Sequence, residues 1–133
     1  MHMAIIASDQ LTIVNLIKNN NVLWTGDLSM TSEDTVELSE NIKEQNNGIC
    51  LVFSESNNQS LTTFFIPKNL IDEVSNVSHS FTMFDSSLYI SIKKLYISNG
   101  NIFGDDSNNE TGISPSGISY SNDKFTLKYV IGV

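Results

Sequence analysis

The sequence contains no arginine: its 7 basic residues are all lysines, they stand against 15 acidic residues, and the formal net charge is −8. A nucleic-acid-binding protein needs a basic face that displaces counterions from phosphates. The charge balance therefore argues against a nucleic-acid partner and against a polybasic contact with anionic lipid. No apolar run approaches the roughly 20 residues of a membrane-spanning helix, so membrane insertion is not expected.

Cysteine and histidine are also scarce. Cys50 is the only cysteine, which excludes an internal disulfide and a cysteine-based metal cage. Because it lies in an apolar run, Cys50 is interpreted as a small buried hydrophobe. His79 is the only histidine outside the first three residues, and none of the common nucleophile, zinc or nucleotide-binding motifs accompanies it. We therefore predict no catalytic residues and a non-enzymatic protein.

The length of 133 residues predicts one domain with its own hydrophobic core. Residues 1–3 resemble a remnant of an expression vector and are set aside. Residues 4–19 are predicted to form an N-terminal arm or stalk, which is either a helix capped by Ser8, an extended arm, or a further strand. The apolar stripe of that helix would consist of Leu11, Val14 and Ile17. Residues 20–133 are predicted to form the β-sandwich domain described next.

Strand patterns dominate the rest of the chain. Residues 35–39 alternate, with Val36 and Leu38 on one face, and residues 49–53 are apolar on both faces, as in a central strand between two layers. Residues 61–66 are rich in β-branched and aromatic side chains. Turn sequences of Asn, Gly and Ser separate these runs. Short strands at this spacing predict an all-β fold, an antiparallel β-sandwich of jelly-roll-like type.

The two longest strand patterns lie in the C-terminal half. In residues 87–98 the apolar residues change parity near Lys93, which predicts a β-bulge or a break there. The first parity contains Leu88, Ile90 and Ile92, and the second contains Leu95 and Ile97. Residues 124–131 alternate without interruption. Their predicted inward set is Phe125, Leu127, Tyr129 and Ile131.

Aromatic side chains are the candidate saccharide-binding residues, because flat rings stack on sugars and the many Asn, Asp and Ser residues can supply hydrogen bonds. Tyr89 has the parity opposite to its apolar neighbours, and Tyr120 lies beside a turn, so both are predicted to be exposed. Trp24 is the third candidate, although its strand-like surroundings favour a place in the core. A saccharide site built from these residues remains a hypothesis at this point.

The densest acidic cluster is the sequence GDDSNNE at positions 104–110. Carboxylate and amide oxygens at this density suit a hard cation, so Asp105 and Asp106 are candidate ligands of Ca²⁺. The spacing does not match an EF-hand loop, and a solvated loop is the favoured interpretation. The sequence therefore requires no cofactor, and calcium is the one alternative to test.

Several segments in fixed order resemble a known protein family: VLWTG (22–26), NGICLVFS (47–54), FFIPK (64–68), and then LYIS (95–98), GISYSNDKF (117–125) and YVIGV (129–133). The order is similar to that of C-terminal β-sandwich domains of tail-tip and baseplate proteins from siphophages and prophages of Gram-positive bacteria. These include tail fibre, upper baseplate and receptor-binding proteins. The similarity spans about residues 20–133. Asp105 and Asp106 stand where relatives often carry His-Asp, so no metal role is carried over to them.

The resemblance implies a virion component, located in the phage tail after synthesis in the bacterial cytoplasm. Such modules are commonly homotrimers that assemble with other tail or baseplate proteins. The implied function is host adsorption, either through assembly of the tail tip or through direct binding of host cell-wall polysaccharide. The net charge of −8 disfavours contact with anionic teichoic acid unless a cation bridges the phosphates, whereas a neutral glycan carries no such penalty.

One alternative function belongs to a different class. A carbohydrate-binding module of a bacterial surface protein or secreted enzyme would also be an all-β domain with exposed tyrosines. The surrounding reading frames distinguish the two functions: tail genes nearby favour the phage protein, and an attached hydrolase domain favours the module.

Overall fold

The computed structural model describes residues 21–56 and 60–133, which form two β-sheets. The expectations for residues 1–3 and 4–19 lie outside the described residues. The strands are β1 (Asn21–Leu28), β2 (Thr35–Glu37), β3 (Gly48–Glu55), β4 (Leu61–Pro67), β5 (Val77–Phe84), β6 (Ile90–Ile97), β7 (Asn101–Phe103), β8 (Thr111–Ile113), β9 (Ser119–Ser121) and β10 (Phe125–Gly132). Short 3-10 helices lie at Ile42–Glu44, Lys68–Leu70, Asp106–Asn109 and Asn122–Lys124.

The described strands form two layers. Sheet A has the strand order β1-β10-β3-β4, and sheet B has the order β2-β7-β6-β9-β8, with β5 along the other edge of β6. Pairing is antiparallel except between β6 and β9, which pair in parallel at Ile90 and Tyr120. The predicted all-β sandwich is confirmed, with this one parallel contact as a departure from the antiparallel pattern.

The chain path combines long-range strand pairs with local hairpins. Strand β10 returns to lie between β1 and β3, the kind of long return that defines Greek keys and the jelly rolls built from them. By contrast, β3–β4 and β5–β6 are hairpins within one sheet. Sheet A is therefore completed by residues from both ends of the described chain.

The two sheets share one hydrophobic core. It contains Leu23, Ile49, Leu51, Phe53, Ile66, Phe125, Leu127 and Val130 from sheet A, and Val36, Phe81, Met83, Leu95, Ile97 and Ile102 from sheet B. Val36 and Leu38 are both buried, as their alternation predicts. Strand β3 is buried along its whole length, which confirms the prediction of a central strand at residues 49–53.

The inward face predicted for the last strand is correct only as far as Leu127. The register of β10 with β3 shifts between Leu127 and Tyr129, and this β-bulge reverses the parity of the residues that follow. Val130 therefore joins the main core, whereas Tyr129 and Ile131 lie on the outward face of sheet A. The prediction that Tyr129 and Ile131 point inward is wrong, because apolar residues occupy both faces and hide the bulge in the sequence.

The bulge predicted near Lys93 is absent, because β5 and β6 pair along their full length without a register shift. The strand keeps its parity: Ser91 and Lys93 point into the sandwich with Leu95, and all three are buried. The apolar residues Ile90 and Ile92 point outward instead. The parity change in the sequence therefore marks two polar residues inside and two apolar residues outside.

Lys93 can occupy an interior position because its ammonium group has partners. Nζ donates to the carbonyl oxygens of Ser29 at 2.9 Å and Asn108 at 2.8 Å. Burial lowers the pKa of Lys93 to about 8, although the charges of Asp123 and Asp34 act in the opposite direction. The lysine thus joins the β1–β2 connection to the 3-10 helix Asp106–Asn109 through buried hydrogen bonds.

Candidate functional site

The outward face of sheet B carries a row of apolar and aromatic residues near the β5–β6 turn. Phe84 pairs with Ile90, Ile90 with Tyr120, and Tyr120 with Gly112. Paired residues project to the same side of a sheet, so this row crosses four strands on one surface. Phe84 is 59% exposed, and Ile92, one step along β6, is 40% exposed. Such exposure of large apolar side chains on a sheet face is a feature that requires explanation.

Glycine at position 112 shapes this row. A side chain added at Gly112 would place its Cβ 2.9 Å from the hydroxyl oxygen of Tyr120. The tyrosine ring therefore lies across β8 and is half-buried against it. The absence of a side chain at Gly112 leaves room for the ring, so Tyr120 forms one edge of the surface.

The β5–β6 turn adds two more exposed residues to this surface. The carboxylate of Asp85, buried in the turn, accepts hydrogen bonds from the backbone N–H groups of Ser87 and Tyr89, both at 2.9 Å. Leu88 has a φ of 65°, a conformation that costs a branched side chain free energy. The turn holds Leu88, which is 78% exposed, and Tyr89, which is 50% exposed, at the end of the sheet.

A second carboxylate, from sheet A, fixes the same turn. Glu55 at the end of β3 is buried and accepts hydrogen bonds from the backbone N–H of Ser86 at 2.7 Å and from its hydroxyl at 2.9 Å. Hydrogen bonds to a charged acceptor are stronger than those between neutral groups. The exposed turn is therefore attached to both layers of the sandwich.

Two asparagine side chains position the β8–β9 hairpin against β6. The Asn108 amide accepts from the backbone N–H of Lys94 at 2.6 Å and donates to its carbonyl oxygen at 2.8 Å, as a neighbouring strand would. Asn122 accepts from the backbone N–H of Ile92 at 2.8 Å and donates to the carbonyl oxygen of Ser107 at 2.9 Å. These amides pair with the backbone groups of β6 that lie between its pairings with β7 and β9.

The parallel pairing of β9 with β6 also brings the hairpin tip towards the turn. Because Ile90 lies opposite Tyr120, the residues that precede each of them run side by side. We define the sheet B patch by its exposed large apolar residues at this end of the sheet: Phe84, Leu88, Tyr89, Ile92 and Ile118. Tyr120 borders this patch.

The opposite end of the same face is more polar. The ammonium group of Lys94 lies 5.3 Å from the centre of the Tyr96 ring, a distance suited to a cation–π contact. The Tyr96 hydroxyl donates to Asp105 at 3.4 Å. The outward face of sheet B is therefore apolar at one end and carries charged and aromatic side chains at the other.

The structure separates the three candidate saccharide-binding residues. Tyr89 and Tyr120 lie at the same end of sheet B, and Tyr89 is exposed because it belongs to a turn, not because of strand parity. Trp24 lies in sheet A, where it packs against the main core, as its strand-like surroundings suggested. A Cβ on Gly26 would lie 2.4 Å from the Trp24 ring, so the indole covers that glycine. Trp24 is not part of a surface with the two tyrosines.

The acidic loop uses its carboxylates internally. Asp105 caps the 3-10 helix that follows it, and the hydrogen bonds from the hydroxyl and backbone N–H of Ser107 lower the pKa of Asp105. Asp106 accepts from the hydroxyl and the backbone N–H of Ser32. In the described part of the chain, no group of three or more His, Cys, Asp or Glu side chains could hold a metal ion. Calcium at Asp105 and Asp106 stays a prediction without a ligand set among those residues.

Cys50 and His79 lie in different sheets. Cys50 belongs to the outward face of sheet A, where burial raises the pKa of its thiol to about 12. His79 lies on β5 in the other sheet and stacks on Phe81, with a centroid separation of 6.4 Å. Desolvation lowers the pKa of His79, and its buried Nε2 atom lacks a hydrogen-bond partner among the described residues. Cys50 and His79 therefore do not form a reactive pair.

Phe84 and Ile92 were missed as surface residues by the sequence interpretation. The signal was present in the parity change of residues 87–98, which has two explanations: an inserted residue, or an inward polar pair. The roles of Asn108 and Asn122 had no sequence signal, because an amide that replaces a strand depends on tertiary geometry.

Comparison with known proteins adds no identity to this geometry. The chain matches no protein-family model, and neither curated proteins nor solved structures give a match. In the described ranges, no helix has the length and apolar character required to cross a membrane.

Proposed function

We propose that the chain is a non-enzymatic domain of a phage tail tip or baseplate that acts in host adsorption through protein assembly. The observation that carries the proposal is the sheet B patch. It combines aromatic with aliphatic side chains, and large exposed apolar surfaces of this kind are typical of protein–protein contacts. The sequence resemblance to tail-tip and baseplate domains supplies the biological setting, a virion made in the bacterial cytoplasm.

Assembly with further copies of this chain, as a homotrimer, is the first form of the proposal. A closed ring buries an apolar patch on every subunit and leaves no unpaired copy of it. Other tail or baseplate proteins are the second class of partner. The net charge of −8 opposes association of identical chains through charged surfaces. An apolar contact surface therefore suits such an assembly better than a charged one.

The test is the solution mass of the purified chain, measured by light scattering over a range of concentrations. A mass near three chains is expected. Leu88→Asp, placed in the most exposed part of the patch, should shift the mass towards one chain. The matched control is Val74→Asp, which changes an even more exposed residue outside the patch and should leave the mass unchanged.

Two results would contradict assembly through the patch. One is a single-chain mass at all concentrations together with no binding to partner proteins of the same tail. The other is a three-chain mass that Leu88→Asp leaves intact, since the contact would then lie elsewhere.

Direct binding of host cell-wall polysaccharide is the second candidate function, and it is also what a carbohydrate-binding module of a surface protein or secreted enzyme would do. It is favoured by the placement of Tyr89 and Tyr120 at one end of sheet B. Binding to purified cell-wall polysaccharide should fall about tenfold or more in Tyr89→Ala and Tyr120→Ala. Phe65→Ala, an exposed aromatic change on the other sheet, is the control. Equal binding by all three variants would contradict a site at the tyrosines.

A further inference from the structure

Strand β5 forms one edge of sheet B along its whole length. All eight of its residues pair with β6 without a register shift, while β7 and β9 occupy the other side of β6. Alternate residues of β5 are exposed, beginning with Ser78 and ending with Phe84. Among residues 21–56 and 60–133, the outer side of β5 has no strand partner.

The hydrogen bonds of β6 show which backbone groups of β5 face this outer side. The backbone groups of Ile92 and Lys94 bond to the asparagine amides, on the side of β6 away from β5. Because backbone groups alternate in direction along a strand, the odd-numbered residues of β6 face β5. Their partners are the odd-numbered residues of β5. The N–H and C=O groups of the even-numbered residues therefore point outwards; we call these the open-edge residues: Ser78, Ser80, Thr82 and Phe84.

The β5–β6 turn agrees with this assignment. The backbone N–H of Asp85 donates to the carbonyl oxygen of Tyr89 at 3.0 Å, which continues the register in which odd-numbered residues bond across the two strands. In the part of the chain that the structure describes, no hydrogen bond reaches the backbone of the open-edge residues. This row of donors and acceptors is therefore available to a further strand.

Strand β5 also lacks the features that usually prevent an edge strand from pairing. Such features are charged side chains, proline, a bulge or a short length. The sequence of β5, VSHSFTMF, has no charged residue and no proline. Each of the other edge strands has one of these features: β2 and β8 have three residues, the register of β1 with β10 shifts, and β4 ends at Pro67. The edge of β5 is thus the one best suited to accept another strand.

The charges around β5 indicate the kind of segment that would pair there. Asp72 and Glu73 are exposed and lie shortly before β5 in the chain. The net charge of the whole chain is −8. A second copy would bring the same negative charge to this edge, whereas a segment with lysine or arginine would be attracted to it. Charge complementarity therefore favours a basic segment of a different protein.

We propose that the outer edge of β5 binds an extended, basic peptide segment of another protein by β-strand addition. Main-chain hydrogen bonds to the open-edge residues provide the affinity, and the acidic residues before β5 select for positive charge. This contact uses backbone groups, so it is separate from assembly through the side chains of the sheet B patch.

Amide hydrogen exchange of the full chain, resolved by residue, tests the edge directly. In the chain alone, the amides of Ser80 and Thr82 should exchange at least about tenfold faster than those of Phe81 and Met83, which bond to β6. The probe is an end-blocked peptide of alternating threonine and valine flanked by lysines. Its addition should slow exchange of the open-edge amides about tenfold or more.

Two matched peptides serve as controls. The same peptide with glutamates in place of the lysines should bind about tenfold more weakly or less. The lysine peptide with N-methyl groups along its bonding edge cannot donate hydrogen bonds and should not protect the open-edge amides. Equal binding of the three peptides, or no protection by the lysine peptide, would overturn the proposal.

The state of the chain without peptide gives a further decisive result. Slow exchange of Ser80 and Thr82 at every protein concentration would show that the edge is already paired within the chain. Protection that grows with protein concentration would show that a second copy pairs there. Either result would overturn the proposal.

A pair of variants at one open-edge residue completes the test. Ser80→Pro removes an N–H that points away from β6, so the β5–β6 ladder is retained while the edge loses a donor. Its affinity for the lysine peptide, measured by titration, should fall about tenfold or more. Ser80→Ala removes the hydroxyl but keeps the N–H, and its affinity should stay within about twofold of the unmodified chain. Equal affinities of the two variants would contradict strand addition, and the N-methylated peptide gives the same comparison if Ser80→Pro fails to fold.

Discussion

The outward faces of the two sheets both carry apolar residues, but these residues differ in exposure. On the middle strands of sheet A, Cys50, Val52 and Ile131 are completely buried. On sheet B, Phe84 at the end of β5 and Ile92 on β6 are 59% and 40% exposed. Outward apolar residues thus form a buried surface in the middle of sheet A and an exposed surface at one end of sheet B.

The interactions that hold the two faces in place also differ. The face of sheet A is held by the continuous ladders of β10, β3 and β4, and its residues pack on one another. The face of sheet B combines the long β5–β6 ladder with short strands that the amides of Asn108 and Asn122 fix to β6. Packing therefore stabilises the first face, and specific hydrogen bonds position the second.

An introduced charge is expected to give the largest difference in stability between variants of the two faces. Val52→Asp places a carboxylate without a partner at a position that has no exposed surface, and we expect a loss of roughly 5 kcal/mol in the free energy of unfolding. Thr82→Asp makes a similar change on the open face of sheet B and should alter stability by less than about 0.5 kcal/mol. Urea denaturation of the two variants measures both values. Equal losses would remove the distinction between the faces.

Truncation inside the shared core sets a reference for both faces. Leu127→Ala removes a side chain that is fully buried between the sheets, and a loss of about 2–5 kcal/mol is expected. Leu70→Ala shortens an exposed leucine and should cost less than about 0.5 kcal/mol. An unchanged melt for Leu127→Ala would mean that the inward face of β10 is wrongly assigned.

Loss of an anchoring amide should affect the open face selectively. Asn108→Ala leaves the backbone N–H and carbonyl oxygen of Lys94 without the amide that pairs with them, at a cost of about 2 kcal/mol. The Met30 carbonyl oxygen loses one hydrogen bond and keeps the one from the backbone N–H of Asp105. Hydrogen exchange should increase in β6, β8 and β9 and stay unchanged in β3. Asn109→Ala, its exposed neighbour, is the control. Uniform loss of protection in both sheets would contradict a local role for Asn108.

Acidification should destabilise the protein in part through His79. Its pKa in the folded state is lowered by desolvation from the ordinary value of 6.5, so the unfolded state takes up the proton first as the pH falls. The stability contributed by neutral His79 is present above pH 6.5 and is lost below it. The melting temperature of His79→Phe should therefore fall less between about pH 7.5 and 5.5 than that of the unmodified protein. Parallel pH profiles would contradict this contribution.

The smallest effect on stability belongs to the sheet B patch itself. Tyr89→Ala should change the free energy of unfolding by no more than about 0.5 kcal/mol, because the side chain is half-exposed in a turn. The hydrogen bond from the backbone N–H of Tyr89 to the Asp85 carboxylate is unaffected by this change. A large loss in chemical denaturation would show that Tyr89 is structural, and it would weaken its candidacy for a binding role.

The fold class was accessible from the sequence because strand alternation and turn residues are local signals. Residues 49–53 are apolar on both faces, and β3 is indeed a central strand. The ladder of β10 with β1 had no such signal, because it joins residues about a hundred positions apart in the sequence. Local chemistry thus identified the strands, while their order depended on distant pairing.

Parity was the weak point of the sequence interpretation. The bulge in β10 was hidden because apolar residues occupy both of its faces. The parity change in β6 was interpreted as a bulge or a break, whereas the strand is regular and carries Ser91 and Lys93 on its inward face. A buried lysine is stable there because two carbonyl oxygens accept hydrogen bonds from its ammonium group. Its position depends on partners that are distant in sequence, so alternation alone cannot place it.

The candidate site was only partly predictable for the same reason. Tyr120 was predicted to be exposed beside a turn, whereas it lies half-buried in β9. Tyr89 is exposed for a reason other than the one predicted. Phe84 and Ile92 join the patch through the registers of β5 with β6 and of β6 with β9, which the sequence does not encode locally. Trp24 belongs to the core through the pairing of β1 with β10.

The position of β10 between β1 and β3 has a consequence for folding kinetics. The hairpins β3–β4 and β5–β6 involve nearby residues and can form within microseconds. Sheet A cannot be completed until β10 inserts between two strands that were synthesised much earlier, so β1 waits without its ladder partner. Contacts of such sequence separation slow folding to milliseconds or longer. During that interval the edges of β1 and β3 that face β10 are unpaired, and unpaired strand edges are open to wrong pairing until β10 inserts.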